Sequence, residues 1–472
     1  MDQLLDSLIF ATKDSSRNLD IEKIHKAWEF ASLAHTGQKR LSGEDFISHP
    51  TQVATILCKW GLDTDTIVAG LLHDVIEEGG ATRQDIAEAF GETIAVLVDA
   101  ISVVGHIHLT GGKSEELIEN SRKMILVMAK DLRVVLIKLA DRFHNLQSLG
   151  YLPRDRQIRN AQETLEIYAP LAERLGIGQI KGDLEDMAFQ YAFPEDYQKL
   201  VQSTNKLFKS GDIYIQKFKR DLLVALHAQI PTAVVNTRQK HMYSLWRKLQ
   251  RPEHAGDLAQ IHDIVATRIL VDTLEECYLA LGIVHGKYRP VPYLGMRDYI
   301  ANPKPNGYRS IHTNVFGPEG RIVEIQIRTH DMHSQAEMGV AAHWQYAQAK
   351  SKGASDEKLE KGTAFGPTDK LSWVKQLAAW QQQMTDSEDY LHSLKFDALA
   401  HRNLVFSPIG DVYDLPRGAT PIDYAYAVHT KLGHQAAGAK VNGRMVPLSH
   451  RLGNGDVVEI LIDRKRKLPS HE

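Results

Sequence analysis

Cysteine is nearly absent: Cys58 and Cys277 are the two in 472 residues. Two thiols cannot build a disulfide framework, so the chain is expected to be a reduced protein in which both serve as buried packing residues of helical segments. Long apolar runs are absent too. No stretch approaches the roughly 20 residues of a membrane span, and Met1-Asp-Gln-Leu-Leu-Asp-Ser7 has neither the basic flank nor the apolar core of a targeting peptide. A soluble, cytoplasmic protein with no membrane partner is expected. An excess of one charge is missing as well: 56 basic against 59 acidic residues leave a formal net charge of -3. Binding of nucleic acid by bulk charge is thereby excluded, and any such contact must be local. What remains is a globular composition, 43% hydrophobic, in a chain long enough for two or three domains.

Up to about residue 200, apolar residues recur at helical spacing, as in Ile21, Ile24, Trp28 and Ala31, or Ile125, Met128, Leu132 and Val135. Residues 203–220 continue that pattern. The period then drops to two in 232–237, 261–271, 310–316 and 322–328, which predicts a sheet with flanking helices. Gly317-Pro-Glu-Gly320 between the last two runs predicts an antiparallel hairpin. From 347 to 371 apolar anchors vanish, as in a mobile linker. Helical patterning resumes around Trp373, Leu377, Trp380 and Leu391, and short strands with Gly and Pro turns begin at Asn403. The expected division is a helical domain over 1–200, an α+β domain with a mixed sheet over 201–346, a linker and helix over 347–400, and a small β-rich domain over 401–464.

The first chemical constellation is His49, His73, Asp74 and Asp141, two imidazoles and two carboxylates spaced as an all-helical phosphohydrolase would space metal ligands. With Asp63 or Thr64 as cap, a helix is predicted from about Thr66 to Glu78, ending at Gly79-Gly80. His73 and Asp74 would then share a broad face with Glu77 and Glu78 one turn on. A second helix, about Leu132 to Leu149, sets Asp141, Asn145 and Ser148 on one face. Mixed N/O ligation suits manganese or iron at least as well as zinc, and such an ion acidifies water and aims it at phosphorus. Glu77 and Glu78 are candidates for general acid or base, or for holding an outer water. Lys39 and Arg40 lie close upstream.

The second constellation begins with Arg238, Lys240, Ser244, Arg247, Lys248 and Arg251, spaced as a helix opening with its charges toward a polyphosphate, or simply as a solvated basic face. Asp263, in an otherwise apolar run, and Glu324 are the carboxylates that magnesium with substrate phosphates requires. Alternation puts Glu324, Gln326 and Arg328 on one face of a strand, with Ile325 and Ile327 behind. Between these segments run Arg297, Lys304, Asn306, Tyr308 and His312, cations for phosphates and an aromatic for stacking on a base.

Together these residues resemble the long RelA/SpoT homologues, which make and destroy guanosine tetra- and pentaphosphate, (p)ppGpp. Gly37-Gln-Lys-Arg40, Ile47-Ser-His49-Pro, His73-Asp-Val-Ile-Glu-Glu78 and Leu139-Ala-Asp-Arg-Phe-His-Asn145 look like the family's hydrolase motifs. The resemblance implies an HD-type helical domain in which His49, His73, Asp74 and Asp141 bind manganese, Glu77 and Glu78 help activate water, Arg40 lies near the guanine, and Asn145 and Ser148 contact the nucleotide. For a nucleotidyltransferase-like synthetase domain it implies magnesium on Asp263 and activation of the 3′-hydroxyl of GDP or GTP by Glu324. Tyr308 would stack on the acceptor guanine and His312 contact that nucleotide, while Arg238, Lys240, Lys248 and Lys304 hold ATP phosphates, with Ser244, Arg297, Asn306, Gln326 and Arg328 in the same nucleotide site. Asp411-Val-Tyr-Asp-Leu-Pro-Arg-Gly-Ala-Thr-Pro-Ile-Asp-Tyr-Ala-Tyr-Ala-Val-His429 looks like a β-grasp-like TGS domain, which implies contact with ribosome or tRNA, or with an acyl carrier protein.

Three departures stand out. Glu77-Glu78-Gly79 replaces the family's usual Glu-Asp-Thr, so water activation is expected to be reduced or repositioned. Gly295-Met-Arg297-Asp298 replaces Arg-x-Lys-Asp and has one cation fewer, which keeps open a second reading, a manganese-dependent hydrolase with a weakened or sensory synthetase. A third reading, a pure binding module, would leave two complete carboxylate sets without use. The basic run Arg464-Lys-Arg-Lys467 is followed by no further regulatory domain in this sequence, which leaves ribosome-dependent activation open.

Overall fold

The computed structural model describes residues 2–14, 19–105, 131–250, 256–258, 261, 265–292, 294–304, 307–339, 402–408, 411–416, 418–453 and 455–463. The expected linker, the helix around Trp373, the basic run at 464–467, Asp263 and Asn306 lie outside them. Two compact units emerge, one from 1–206, 241–251 and 337–391, the other from 207–240, 252–336 and 392–472.

In the first unit the helices are α1 (Asp2–Asp14), α2 (Ile21–Ala34), α3 (Ser48–Lys59), α4 (Thr64–Leu71), α5 (Arg83–Phe90), α6 (Glu92–Gly105), α7 (Arg133–Gln147), α8 (Arg154–Glu163), α9 (Ala169–Arg174) and α10 (Gly178–Ala192). Their starts are chemically marked. The side chains of Asp20 and Asp63 accept from the amides of Lys23 and Thr66, and Thr82 with Asp85 forms a capping box. Ile24, Ala27, Trp28 and Ala31 are buried along one face of α2, and the Trp28 Nε1 proton reaches Thr51 Oγ1 at 2.9 Å. The helix predicted to run on to Glu78 stops at Leu71. His73 Nδ1 donates to the Gly70 carbonyl at 2.8 Å, taking the acceptor that a continuing helix would offer to the amide of residue 74. Residues 73–78 are turns instead. His73 and Asp74 therefore point inward while Glu77 and Glu78 are exposed, and the four share no helical face.

Helix α11 (Pro194–His227) contains the boundary between the units. Helix α12 (Met242–Leu249) belongs to the first, where it packs on α10. Asp186 Oδ1 accepts from the Tyr243 amide at 2.9 Å and Oδ2 pairs with His241 Nδ1 at 2.8 Å, while Phe189 stacks 5.1 Å from Trp246. Arg238 and Lys240 do not open this helix: Arg238 lies in strand β1 and Lys240 just after it.

The second unit holds a five-stranded sheet of β1 (Val234–Gln239), β2 (Val265–Val271), β3 (Arg297–Asp298), β4 (Ile311–Phe316) and β5 (Ile322–Thr329), in the order β1-β2-β5-β4-β3. β4 and β5 form the expected antiparallel hairpin and β2 runs parallel to β5. One face is apolar: Val235, Ile269, Val271, Ile311, Val315, Val323, Ile325 and Ile327 join a core with Phe218, Leu222 and Leu226 of α11. Cys277 and Ala280, on α13 (Leu274–Lys287), close it. Helix α14 spans His330–Met338. The opposite face is polar, because residues two apart return to the same side. Register lines up Asn236, Arg268, Gln326, His312 and Arg297 in one row and Arg238, Ala266, Glu324 and Asn314 in the next.

The C-terminal strands β6 (Arg402–Phe406), β7 (Val412–Pro416), β8 (Ala436–Val441), β9 (Arg444–Val446) and β10 (Val458–Ile462) make a hairpin and an antiparallel three-stranded sheet. Between β7 and β8 lie α15 (Pro421–Val428), opened by a Thr420–Asp423 capping box, and α16 (Thr430–His434). Val405, Leu415, Tyr424, Val441 and Val458 form the core of this part.

Candidate functional site

Helix α3 begins at Ser48 with Pro50 in its first turn, where a missing amide proton costs nothing. This sets His49 at the helix start, buried, with Nε2 turned to Asp74 Oδ2 at 3.5 Å and Asp141 Oδ1 at 3.3 Å. His73 Nε2 faces the same two oxygens at 3.1 and 3.9 Å. Because its Nδ1 proton is spent on the Gly70 carbonyl, its buried Nε2 is left without a hydrogen-bond partner. Two imidazole nitrogens and two carboxylate oxygens thus converge at short range. Ligands about 2.1 Å from one ion stand about 3.0–3.4 Å apart in octahedral or tetrahedral geometry, and these separations lie near that range. His49, His73 and Asp141 offer ligand atoms all within 4.8 Å of one another, so the residues fit a divalent cation.

The electrostatics agree for His49 and the two carboxylates. Burial pushes the His49 imidazole below its ordinary value. At His73 burial acts the same way, but the Asp74 carboxylate outweighs it and the net shift is upward. Asp74, despite burial, is drawn down to about 2 by His73, and Asp141, also despite burial, is held well below the carboxylate range, first by Lys138, whose Nζ lies 3.3 Å from Asp141 Oδ2. Both carboxylates are held as anions.

Beside this cluster opens a cavity of about 500 Å³ whose lining includes Arg40, Glu77, Glu78, Asn145 and Ser148, all singled out from sequence. Arg40 Nη2 donates to Asn145 Oδ1 at 3.0 Å and Ser148 Oγ at 3.1 Å, and Asn145 Nδ2 donates to Asp141 Oδ1 at 2.6 Å. Sequence reasoning assigned no role to Lys138, Arg142, His144 or Tyr168. Arg142 Nη2 donates to Glu163 Oε2 at 2.8 Å and its guanidinium lies 4.3 Å from the Tyr168 ring centre. Tyr168 ends a π-helical turn, Thr164–Tyr168, a distortion frequent at functional sites. A lysine and an arginine flanking Asp141 on an otherwise apolar helix were the available signal for two of these.

In the second unit the polar sheet face gathers Glu324, Gln326, His312 and Tyr308. A carboxylate accepts, so His312 Nδ1 donates to Glu324 Oε1 at 3.1 Å; its Nε2 then accepts from the Tyr308 hydroxyl at 2.8 Å. Burial holds His312 below its ordinary value, so the ring is the neutral relay between the two. Gln326 Nε2 stands 3.4 Å from Glu324 Oε1. Lys304 Nζ lies 4.7 and 5.0 Å from the rings of Tyr299 and Tyr308. Arg328 shares the strand face but is fully buried, with Nη2 2.8 Å from His333 Nδ1. Arg297 pairs with His312 across β3 and β4. Gly295 adopts φ +64°, a left-handed turn that an arginine would strain. Ser244 and Lys248 sit on α12 in the first unit, and Ser244 Oγ bonds Glu185 Oε2 at 3.3 Å.

Three family models match the chain in succession: an HD domain over residues 27–178, a region found in RelA / SpoT proteins over 237–351, and a TGS domain over 404–462. A GTP pyrophosphokinase of Streptomyces coelicolor is 43% identical over 449 residues, covering 94% of this chain and 52% of the relative. A guanosine-3′,5′-bis(diphosphate) 3′-pyrophosphohydrolase of Aquifex aeolicus is 42% identical over 455 residues, 96% of this chain and 62% of that protein. The bifunctional (p)ppGpp synthase/hydrolase RelA of Mycobacterium tuberculosis is 41% identical over 461 residues, 98% and 57% of the respective lengths. The chain thus spans about half to three-fifths of the length of these relatives. The chain thus carries an HD domain, a region found in RelA / SpoT proteins and a TGS domain in this order, and over nearly its whole length it is similar to GTP pyrophosphokinases and a (p)ppGpp synthase/hydrolase.

Proposed function

We propose that the chain is a bifunctional alarmone enzyme: it transfers pyrophosphate from ATP to the 3′-hydroxyl of GDP or GTP, and it hydrolyses the 3′-pyrophosphate of the (p)ppGpp so formed. The observation that carries the reading is the convergence of His49, His73, Asp74 and Asp141 beside a cavity lined by Arg40, Asn145 and Ser148. Relatives named for each activity support both halves.

In the hydrolase the four acceptors hold manganese, which when bound acidifies water and offsets phosphate charge. Arg40, with Asn145 and Ser148, seats the nucleoside, and the exposed carboxylates of Glu77 and Glu78 take or return the proton of the attacking water. In the synthetase Glu324 receives the proton of the acceptor 3′-hydroxyl while His312, tethered by Tyr308, holds one of its oxygens. Asp263 serves magnesium, and Arg238, Lys240, Arg297 and Lys304 offset ATP phosphate charge, with Asn306, Gln326 and Arg328 completing or supporting the nucleotide site. The TGS domain is the docking module, toward ribosome or tRNA, or toward an acyl carrier protein. The compartment is the cytoplasm, in keeping with two buried free thiols and with the absence, among the described residues, of a helix long and apolar enough to cross a membrane.

The reading is tested by incubating the purified chain with ATP, GDP and magnesium, and separately with guanosine tetraphosphate and manganese, and following nucleotides by chromatography. Product is expected in both. Pyrophosphate release in the second alone would leave a hydrolase with a sensory second half, and no reaction in either would leave a binding module.

A further inference from the structure

We propose that His144 is the positioning residue of the metal centre: it accepts the Nδ1 proton of His49 and so holds the His49 Nε2 lone pair toward Asp74 and Asp141. The inference rests on the metal-dependent hydrolase reading above. His49 Nδ1 and His144 Nδ1 stand 2.8 Å apart, so one carries a proton and the other accepts it. Arg40 Nη1 lies 3.2 Å from the same His144 nitrogen, and a guanidinium can only donate. His144 Nδ1 is therefore the acceptor and His49 Nδ1 the donor. That assignment leaves His49 Nε2 unprotonated, aimed at the carboxylate oxygens 3.3 and 3.5 Å away.

The two imidazoles of the site are thus fixed by different means. His73 is anchored on a backbone carbonyl, that of Gly70, which no side-chain substitution removes. His49 depends on a side chain, three residues beyond Asp141 on the same face of α7. Without that acceptor the proton of His49 can move to Nε2, where it meets the carboxylates and occupies the lone pair a cation needs. Arg40 keeps Asn145 and Ser148 as acceptors, so its own placement does not hang on His144.

Asparagine places an acceptor oxygen where His144 has Nδ1; leucine has the same shape and no acceptor. Manganese binding to the full chain, without nucleotide and at fixed pH, is measured by calorimetry for the wild type, His144→Asn and His144→Leu, with thermal unfolding in chelator as the folding control. His144→Leu is expected to bind manganese about 10–100-fold more weakly, and His144→Asn to stay near the wild type. Equal affinity in His144→Leu and wild type, or equal losses in both variants, would overturn the assignment while leaving the metal site standing. If His144→Leu fails to fold, His144→Asn decides, retained affinity supporting the assignment and a loss of about 10-fold or more overturning it. A wild type that binds no manganese overturns this inference together with the hydrolase reading.

Discussion

Four acceptor atoms from His49, His73, Asp74 and Asp141 lie 3.1–3.9 Å apart across the cluster, an arrangement that an added positive charge stabilises. Asp141→Asn replaces one anionic acceptor by an amide. It is expected to weaken manganese binding by more than the roughly 100-fold that loss of an outer partner costs; unchanged binding in a calorimetric titration would mean the ion sits elsewhere. Glu78 lies exposed on the cavity lining with a side chain one methylene longer than the family's aspartate. Glu78→Asp is therefore expected to raise the rate of (p)ppGpp hydrolysis, and an unchanged rate would show that the extra length is irrelevant. The thiols give a residue-scale check on the core. Cys58 and Cys277 are both buried, and burial pushes the Cys277 thiol up to about 12. Neither should react with a disulfide reagent until the protein unfolds, and prompt labelling of the native chain would show the packing to be wrong.

Among the elements, α12 is the least legible from sequence. Its basic residues read as one run with Arg238 and Lys240, but the chain changes unit between 240 and 241. What decides this is tertiary: Asp186 takes the Tyr243 amide and the His241 imidazole at the α12 start, and an aromatic group around Phe189 receives Trp246. A Cβ on Gly182 of α10 would stand 2.2 Å from His241 Nε2, on a ring held by Asp186. Gly182→Ala is expected to cost about 1–3 kcal/mol, read as a lower unfolding midpoint, despite alanine's better helix propensity; an equal midpoint would contradict the close packing. On the same helix Glu185 is buried, and burial raises its pKa against the pull of Lys181. A carboxylate raised on folding costs nothing below its ordinary value, where both states are protonated, and costs most above its raised value. Glu185→Gln should therefore raise the melting temperature more well above the ordinary carboxylate range than below it, and a gain independent of pH would refute the shift. By contrast, β4 and β5 were legible almost to the residue, because alternation assigns each side chain to the apolar or the polar face. The end of α4 was not, because His73 takes a backbone carbonyl that periodicity cannot foresee. Nor were Lys138 and Arg142, whose roles depend on Glu163 and Tyr168 arriving from other segments.

In the whole molecule, two sets of carboxylates in two compact units are proposed to run opposed reactions on one nucleotide, and simultaneous turnover would waste ATP. The spacing of His49, His73, Asp74 and Asp141 and the alternation of β5 were legible in sequence, whereas the distances that let the first set fit a divalent cation were not. Because His49, His73, Asp74 and Asp141 lie in one unit and Glu324 in the other, the two reactions should be separable by substitution. The most direct test follows guanosine tetraphosphate over time in one mixture of ATP, GDP, magnesium and manganese, for the wild type, Asp141→Asn and Glu324→Gln. Asp141→Asn should accumulate the tetraphosphate without degrading it, and Glu324→Gln should make none yet destroy what is added. Loss of both reactions in either variant, or synthesis surviving intact in Glu324→Gln, would contradict two separate sites on one chain.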